Sequence, residues 1–201
     1  MDEKQSHILF DPVLQNIEPA RAFGFRQLAN GAKLFGHVPH VVPEAWLHQI
    51  YAPLAENDVV SLEKNMLLTI PTHFREFLHL ANGVGLFSGA LSIYGKRTSY
   101  VRSGDEAWQP FCLATANTLD RPAHGKPWHI VVGSYRSNGS LVFLDAKDGT
   151  AFRTKAGSKK ILNRWQDFWT MLTAETGRLA GLFDAQGHKL SEGPTTPPLD
   201  M

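Results

Sequence analysis

Cys112 is the only cysteine of the sequence and therefore its only candidate thiol nucleophile, with His124 or His129 as the base. A cysteine hydrolase needs a base held in place and an oxyanion hole. No local signature of such an enzyme surrounds Cys112, and free cysteines are most often small core residues. We expect a buried structural cysteine, and we keep a hydrolase that uses Cys112 as an alternative hypothesis.

Two further patterns have the letters of a functional motif without its context. Residues 61–64 read Ser-Leu-Glu-Lys, the spacing of a Ser-x-x-Lys acylation motif, but its companion Ser-Asp-Asn and Lys-Thr-Gly segments are absent from the sequence. Residues 83–85 read Gly-Val-Gly, but they follow a predicted helix, whereas a phosphate-binding loop follows a strand. An ordinary helix face and a turn explain both patterns.

Metal-ligating and proton-transferring residues are present but poorly arranged. His37, His40 and His48 match no strong ligand spacing. The adjacent carboxylates Asp105 and Glu106 could exchange protons, but their loop-like context favours a solvated turn. The sequence therefore predicts no metal, no cofactor and no catalytic residues, and we expect that the protein is not an enzyme.

The charge and hydropathy of the chain argue against nucleic-acid and membrane partners. The formal net charge is +1, and the one basic cluster is formed by Lys155, Lys159, Lys160 and Arg164. Nucleic-acid binding needs a larger basic field. No apolar run approaches the roughly 20 residues that cross a bilayer, and the polar N-terminus lacks the features of a signal peptide. With a single cysteine, these observations predict a cytoplasmic protein.

The chemical variety of the chain is concentrated in an irregular loop, residues 96–108. Its interaction-prone side chains are Arg97, Tyr100, Arg102, Asp105, Glu106 and Trp108. Arginine and aromatic residues dominate the energetics of protein interfaces, and loops on a rigid scaffold often carry binding. We predict that these six side chains bind a protein partner. The alternative is that Tyr100 and Trp108 fill the edge of the core.

The elements that must position this loop are organised around residues 70–83. Pro71 suits the first turn of a helix, and Phe74 and Phe77 share one helical face. Asn82 and the glycine after it favour the left-handed backbone that ends many helices. The following segment, residues 84–94, has the apolar and glycine pattern of a strand or hairpin.

Other segments alternate between strand and helix patterns. Residues 128–135, 141–144 and 150–154 predict an antiparallel meander. Ser158 is expected to cap a final helix, whose apolar face is Ile161, Leu162, Trp165, Phe168, Trp169 and Leu172. Towards the N-terminus, Asn30 and Gly31 predict either a hairpin between residues 23–28 and 32–38 or the end of a helix.

Residues 44–51, after Pro43, are expected to be helical, and a further helix is expected from Asn57 or Asp58 onward, with Val59, Leu62 and Met66 at helical spacing. The composition after residue 192 is typical of a disordered tail. Together these elements predict one α+β domain, mainly an antiparallel β-sheet packed against helices.

The order of these motifs resembles the SUKH superfamily, which contains Smi and Knr type regulators of cell-wall synthesis and bacterial toxin-immunity proteins. The resemblance rests on Ile70-Pro71, the aromatic residues that follow, and Asn82-Gly83, and later on Leu144-Asp145 and Asp148-Gly149. It predicts an N-terminal extension at 1–53, a SUKH-like domain at 54–177, and a C-terminal hairpin with a flexible tail at 178–201.

The resemblance implies a protein-binding module without a catalytic site. It implies that the protein is an immunity protein, which neutralises a bacterial polymorphic or contact-dependent toxin by covering part of its surface. The alternative that it leaves open is a regulatory or scaffolding protein that binds a host enzyme. Many immunity proteins of this kind are acidic to match a basic toxin. This chain is not, so we do not expect a clamp driven by net charge.

Overall fold

A single antiparallel sheet runs through the molecule. The computed structural model describes residues 3–199, with side chains from residue 8 onward. Within this range nine strands pair in chain order. They are β1 (Phe25–Gln27), β2 (Lys33–His37), β3 (Trp46–Ile50), β4 (Val84–Leu86), β5 (Leu91–Ile93), β6 (His129–Tyr135), β7 (Leu141–Asp145), β8 (Ala151–Thr154) and β9 (Ile161–Trp165). The predicted α+β fold class is confirmed.

Helices lie before the sheet, between its strands and after it. They are α1 (Glu3–Ile17), α2 (Glu56–Met66), α3 (Thr72–Leu80), α4 (Leu113–Asn117) and α5 (Phe168–Ala180). Aromatic rings join three of them: Phe10 of α1 lies 5.9 Å from Phe77 of α3 and 6.2 Å from Trp169 of α5. These rings belong to the same buried cluster as Val84 and Ile93 of the sheet. The main core therefore lies between the helices and the sheet.

The predicted helix within residues 70–83 forms as α3, with Pro71 as the residue before its first turn. Phe74 and Phe77 are fully buried. At its exit, the Asn82 amide donates to the Lys96 carbonyl over 2.8 Å, and its Oδ1 accepts from the Lys96 N–H over 2.6 Å. The end of α3 is thus joined directly to the start of the 96–108 loop.

The predicted hairpins also form. At the first, Asn30 Oδ1 accepts from the Ala32 N–H over 3.1 Å, and Gly31 has a φ of +82°. A positive φ is readily adopted by glycine, so this turn suits the sequence. The helix that we kept as an alternative for this segment is wrong. The 84–94 hairpin and the 128–154 meander are confirmed as β4–β5 and β6–β8.

Residues 44–51 are not helical, contrary to the prediction from Pro43. They contain β3, which pairs with β2 on one side and β4 on the other. Leu47, His48 and Ile50 become buried in this arrangement. Because β3 has a hydrogen-bonding neighbour on both sides, tertiary pairing overrides the local helical preference. Residues 1–53 thus supply three strands of the continuous sheet.

The closing helix begins later than predicted. Residues 161–165 form the edge strand β9, paired with β8, instead of the first turns of a helix. The cap is Asp167, whose Oδ1 accepts from the Thr170 N–H over 2.8 Å, and not Ser158. The apolar spacing fits a helix in isolation, but only a strand completes the ladder that β8 offers.

The tail around residues 194–199, which its composition predicts to be disordered, has specific contacts in the structure. Thr195 and Pro197 are buried. Three side chains donate to its backbone carbonyl groups: Arg178 to Thr195 (2.7 Å), Arg153 to Pro197 (3.0 Å) and Asn163 to Pro198 (2.7 Å). Arg153 is only 1% exposed, so these carbonyls help to satisfy a guanidinium inside the core.

Deleting residues 194–201 is expected to lower the free energy of unfolding by about 2 kcal/mol, because buried Arg153 and Asn163 lose acceptors. Urea denaturation measures the change. Leu199→Ser is the control, since this side chain is 58% exposed, and it should unfold at the parent urea concentration. A truncated protein as stable as the parent would show that the tail contacts contribute nothing.

Candidate functional site: a groove on the open face of the sheet

Four small or polar residues lie side by side across four neighbouring strands. Gln49 of β3 pairs with Gly85 of β4, Gly85 with Ser92 of β5, and Ser92 with Ser134 of β6. Side chains alternate between the two faces of a strand, so this row faces away from Val84 and Ile93 and hence away from the helices. We call this row the floor.

The floor is recessed from the surface because three of its four residues are glycine or serine, which have the smallest side chains. A Cβ at Gly85 would collide with the Gln49 carboxamide, which therefore lies over the glycine. Gln49 Nε2 donates to the Trp46 carbonyl over 2.9 Å, and this bond orients the carboxamide. Ser92 is buried within the row.

The floor lies in a cavity of about 560 Å³, which we call the groove. One wall comes from residues 41–46 and the other from the loop that includes Arg97 and residues 108–111. Arg136 and the turn at residues 88–89 lie at one end. The volume falls within the roughly 300–1,000 Å³ typical of ligand-binding cavities.

Aromatic side chains stiffen one end of the groove. Trp46, Tyr51 and Trp108 all line it, and all three pack against a small separate core of Leu28, Ala32 and Leu34. Burial raises the pKa of Tyr51 to about 12, and the nearby Arg97 guanidinium opposes this rise. Tyr51 therefore stays an uncharged phenol at neutral pH, and the neighbouring cation is the Arg97 guanidinium.

Two arginines border the groove. The Arg97 guanidinium donates to the carbonyls of Ser99 (2.9 Å) and Pro110 (3.3 Å) and lies 4.8 Å from the centre of the Tyr100 ring. The exposed Arg136 donates to the Ser88 carbonyl over 3.4 Å. Neither arginine has a carboxylate partner among residues 8–199. Both charges are thus available to an acidic group of a ligand.

The loop that forms the second wall is anchored to the first hairpin. The Asp105 carboxylate accepts from Arg26 Nη2 over 2.7 Å and from the Ala29 N–H over 2.8 Å. The Asn30 amide donates to the carbonyls of Asp105 (2.8 Å) and Trp108 (3.1 Å). These bonds fix the position of Trp108 against the groove.

The structure separates the six residues that the sequence predicts as a binding surface. Arg97 and Trp108 line the groove. Tyr100 and Arg102 are exposed beyond it, and Glu106 borders a smaller adjoining cavity of about 190 Å³. Asp105 anchors the loop. Trp108 also packs against the small core, as the alternative interpretation predicts, and its binding of a partner stays a prediction.

Sequence reasoning missed the floor itself, Gln49, Gly85, Ser92 and Ser134. Each belongs to a different strand, and polar positions in half-exposed strands are common. The available indication was a small polar residue among the apolar residues of both β5 and β6, Ser92 and Ser134. Only the register of the sheet aligns these four residues, and no local pattern predicts the register between strands that lie far apart in the sequence.

Cys112 does not lie with a histidine. The cavity that contains His124 and His129 is not lined by Cys112. Its Sγ instead accepts from the Thr115 N–H over 3.5 Å at the start of α4, and the residue is only partly buried. Burial tends to raise the thiol pKa, but hydrogen bonds from Thr115, Tyr100 and Ala114 outweigh it and lower the pKa.

The early histidines have unrelated environments. His37 Nε2 lies 2.8 Å from the Pro43 carbonyl, His40 stacks on His188 with ring centres 4.0 Å apart, and His48 is buried. Among the described residues, no group of three or more His, Cys, Asp or Glu side chains could hold a metal. No helix in residues 3–199 combines the length and apolar character needed to span a membrane.

No protein-family model matches the chain, and a search of curated proteins returned no significant match. The resemblance to the SUKH superfamily therefore stays a prediction from motif order.

Proposed function

We propose that the protein is a binding module that holds a segment of a partner protein in the groove, and that the partner is a toxin which it neutralises. The observation that carries the proposal is that the groove continues into a second cavity, so that the two form one elongated depression. A second cavity of about 570 Å³ continues the groove and shares Val41, Ser88 and Arg136 with it. A small ligand would occupy one of these cavities, whereas a polypeptide segment would extend along both.

The walls indicate the chemistry of this segment. Trp46 and Trp108 offer aromatic surface at one end, and Arg136 offers a positive charge at the junction of the two cavities. Tryptophan and arginine are the residues that most often dominate protein interfaces. The segment that fits carries an apolar side chain for the aromatic end and a carboxylate for Arg136.

The immunity role is the biological form that the motif order favours, and the regulatory role is its alternative. The test is co-expression with the product of the adjacent open reading frame. Suppression of the lethality of that product, together with a stable complex, supports an immunity protein. A non-toxic neighbour with no rescue of growth argues against it, and stable capture of a resident enzyme would favour the regulator.

Arg136→Glu is expected to weaken the complex by about tenfold or more, because the charge at the centre of the depression is reversed. Isothermal titration calorimetry against the purified partner measures the change. Arg136 is exposed, so the thermal unfolding midpoint should stay that of the parent. Lys155→Glu, an exposed change outside both cavities, is the control.

Arg102→Ala tests the loop beyond the groove, which the sequence predicts as part of the interface. A loss comparable with that of Arg136→Glu would extend the interface over the 96–108 loop. Full affinity would confine the interface to the groove. Unaltered binding in both variants would contradict the proposed site.

A further inference from the structure

A separate cavity of about 280 Å³ lies beside strands β6–β8 and shares no lining residue with the groove. Its apolar lining comes from Phe143, Phe152 and Ile161. The two phenylalanine rings are stacked, with centres 5.3 Å apart and nearly parallel planes, so this part of the lining is rigid. The polar lining consists of His124, Lys126, His129, Asp145, Thr154, Lys159 and Arg164.

Among the described residues, Asp145 is the only acidic one that lines this cavity, and its carboxylate already has several donors. Its Oδ1 accepts from the Lys147 N–H over 2.9 Å, and its Oδ2 accepts from Trp128 Nε1 over 3.2 Å. His129 Nε2 lies 3.4 Å from the same Oδ2. A carboxylate with three N–H neighbours needs no cation from across the cavity.

His129 serves as a support for this carboxylate. Its Nδ1 accepts from the Lys126 N–H over 3.3 Å, so its proton lies on Nε2, towards Asp145. Burial lowers the pKa of His129, and the positive charges of Lys126 and Arg121 act in the same direction, against Asp145. The imidazole is thus neutral at physiological pH and contributes a fixed dipole to the site.

The lysines of the cavity, in contrast, are not neutralised. Neither Lys126 nor Lys159 forms an ion pair with any residue from 8 to 199. Arg164 also lines the cavity but interacts with another group of the protein. Lys126 Nζ also lies 5.4 Å from the centre of the Trp128 ring, a contact that leaves its positive charge in place. Two lysines without an ion-pair partner among residues 8–199 therefore line the cavity beside Asp145, whose carboxylate is bonded by other donors.

Hydroxyl and imidazole groups lie deeper than the lysines. Thr154 is 2% exposed, and its Oγ1 lies 3.4 Å from His124 Nε2. One of these two atoms donates to the other. His124 Nδ1 has no partner among the described side chains, so the pair offers a further polar contact to a ligand.

We propose that this cavity binds a phosphate group, either inorganic phosphate or the phosphate monoester of a small metabolite. Lys126 and Lys159 pair with its charge, and the Thr154–His124 pair donates to one of its oxygens, through the Thr154 hydroxyl or through His124 Nδ1–H, whichever is not used between the two side chains. A volume slightly below the roughly 300–1,000 Å³ of drug-sized sites suits a phosphate with a small organic part, which would lie against Phe143 and Phe152.

The experiment titrates the full-length protein with inorganic phosphate, and separately with phenyl phosphate, while NMR records the amide resonance of Thr154. Saturable shifts are expected with at least one of the two. Tighter binding of phenyl phosphate identifies a monoester as the ligand class, and tighter binding of inorganic phosphate identifies the free ion. The absence of a saturable shift with both probes at physiological salt overturns the proposal.

Matched variants test the residues. Lys159→Gln should weaken binding by about tenfold, because a charge-assisted hydrogen bond is lost. Lys160→Gln removes the same charge from the neighbouring residue, which does not line the cavity, and should change the affinity less than about twofold. Equal losses in the two variants would indicate non-specific attraction and contradict the site.

Thr154→Val keeps the shape of the buried side chain and removes its hydroxyl. We expect weaker phosphate binding with a retained cooperative melt. A variant that folds and binds phosphate as tightly as the parent would remove Thr154 from the site. Because the groove shares no residue with this cavity, failure here leaves the proposed partner binding unaffected.

Discussion

Acidification from pH 6.5 to pH 3 is expected to remove about 4 kcal/mol of the free energy of unfolding through His48 alone. Burial lowers the pKa of His48 from 6.5 to about 3. The side chain is 1% exposed, and its Nδ1 accepts from the Phe87 N–H over 3.4 Å. Protonation would both place a charge in the core and remove this acceptor.

The sign of this pH effect follows from the different pKa of His48 in the folded and unfolded states. Below pH 6.5 the unfolded chain binds a proton at His48, whereas the folded protein does not until about pH 3. The unfolded state therefore gains protons first, and stability falls with falling pH by roughly 1.4 kcal/mol per unit across this window. Above pH 6.5 both states are neutral and the contribution is constant.

Urea denaturation at several pH values between 7 and 4 measures the slope in the parent and in His48→Gln. The variant should lose stability at pH 7 and have a shallower acid slope. Leu47→Ala, on the same strand, is the control, because it destabilises without removing a titrating group and should keep the parent slope. Equal slopes in His48→Gln and the parent would contradict the prediction.

Phe168→Ala is expected to lower the free energy of unfolding by about 3–5 kcal/mol. The ring is 1% exposed and lies 5.0 Å from Phe74, 4.9 Å from Phe77 and 5.5 Å from Trp169. It therefore joins α3 to α5 at the centre of the aromatic cluster. Truncation leaves a cavity that the surrounding rings cannot close without losing their mutual contacts.

Thermal and urea unfolding measure this loss against Phe111→Ala, the same change at a side chain that is 61% exposed. The control should lose less than about 1 kcal/mol. Trp165, which the sequence predicts for the same helix face, is half-buried on the edge strand β9, so its truncation should cost less than that of Phe168. A loss at Phe168 no larger than at Phe111 would show that the cluster is not central to stability.

The loop that the sequence singled out is part of the candidate site but not its centre. Arg97 and Trp108 could be predicted because arginine and tryptophan stand out in a polar loop. Gln49, Ser92 and Ser134 could not, since serine and glutamine in a strand carry no functional indication by themselves. Their role depends on being neighbours across strands, which is a property of the sheet register.

The sequence alone determined those helices and strands that depend on nearby turn residues and on hydrophobic periodicity. The helix after Pro71 and the meander through β8 each follow from residues within a few positions of one another. Their turn chemistry and periodicity need no distant partner.

Only the tertiary structure decided the segments that have two acceptable local conformations. Residues 46–50 and 161–165 both fit a helix by spacing, and both became strands because a neighbouring strand offered unpaired backbone groups. The groove has the same origin. Strand pairing over long sequence separations brings its floor together, and the free energy of that pairing is not encoded in any single segment.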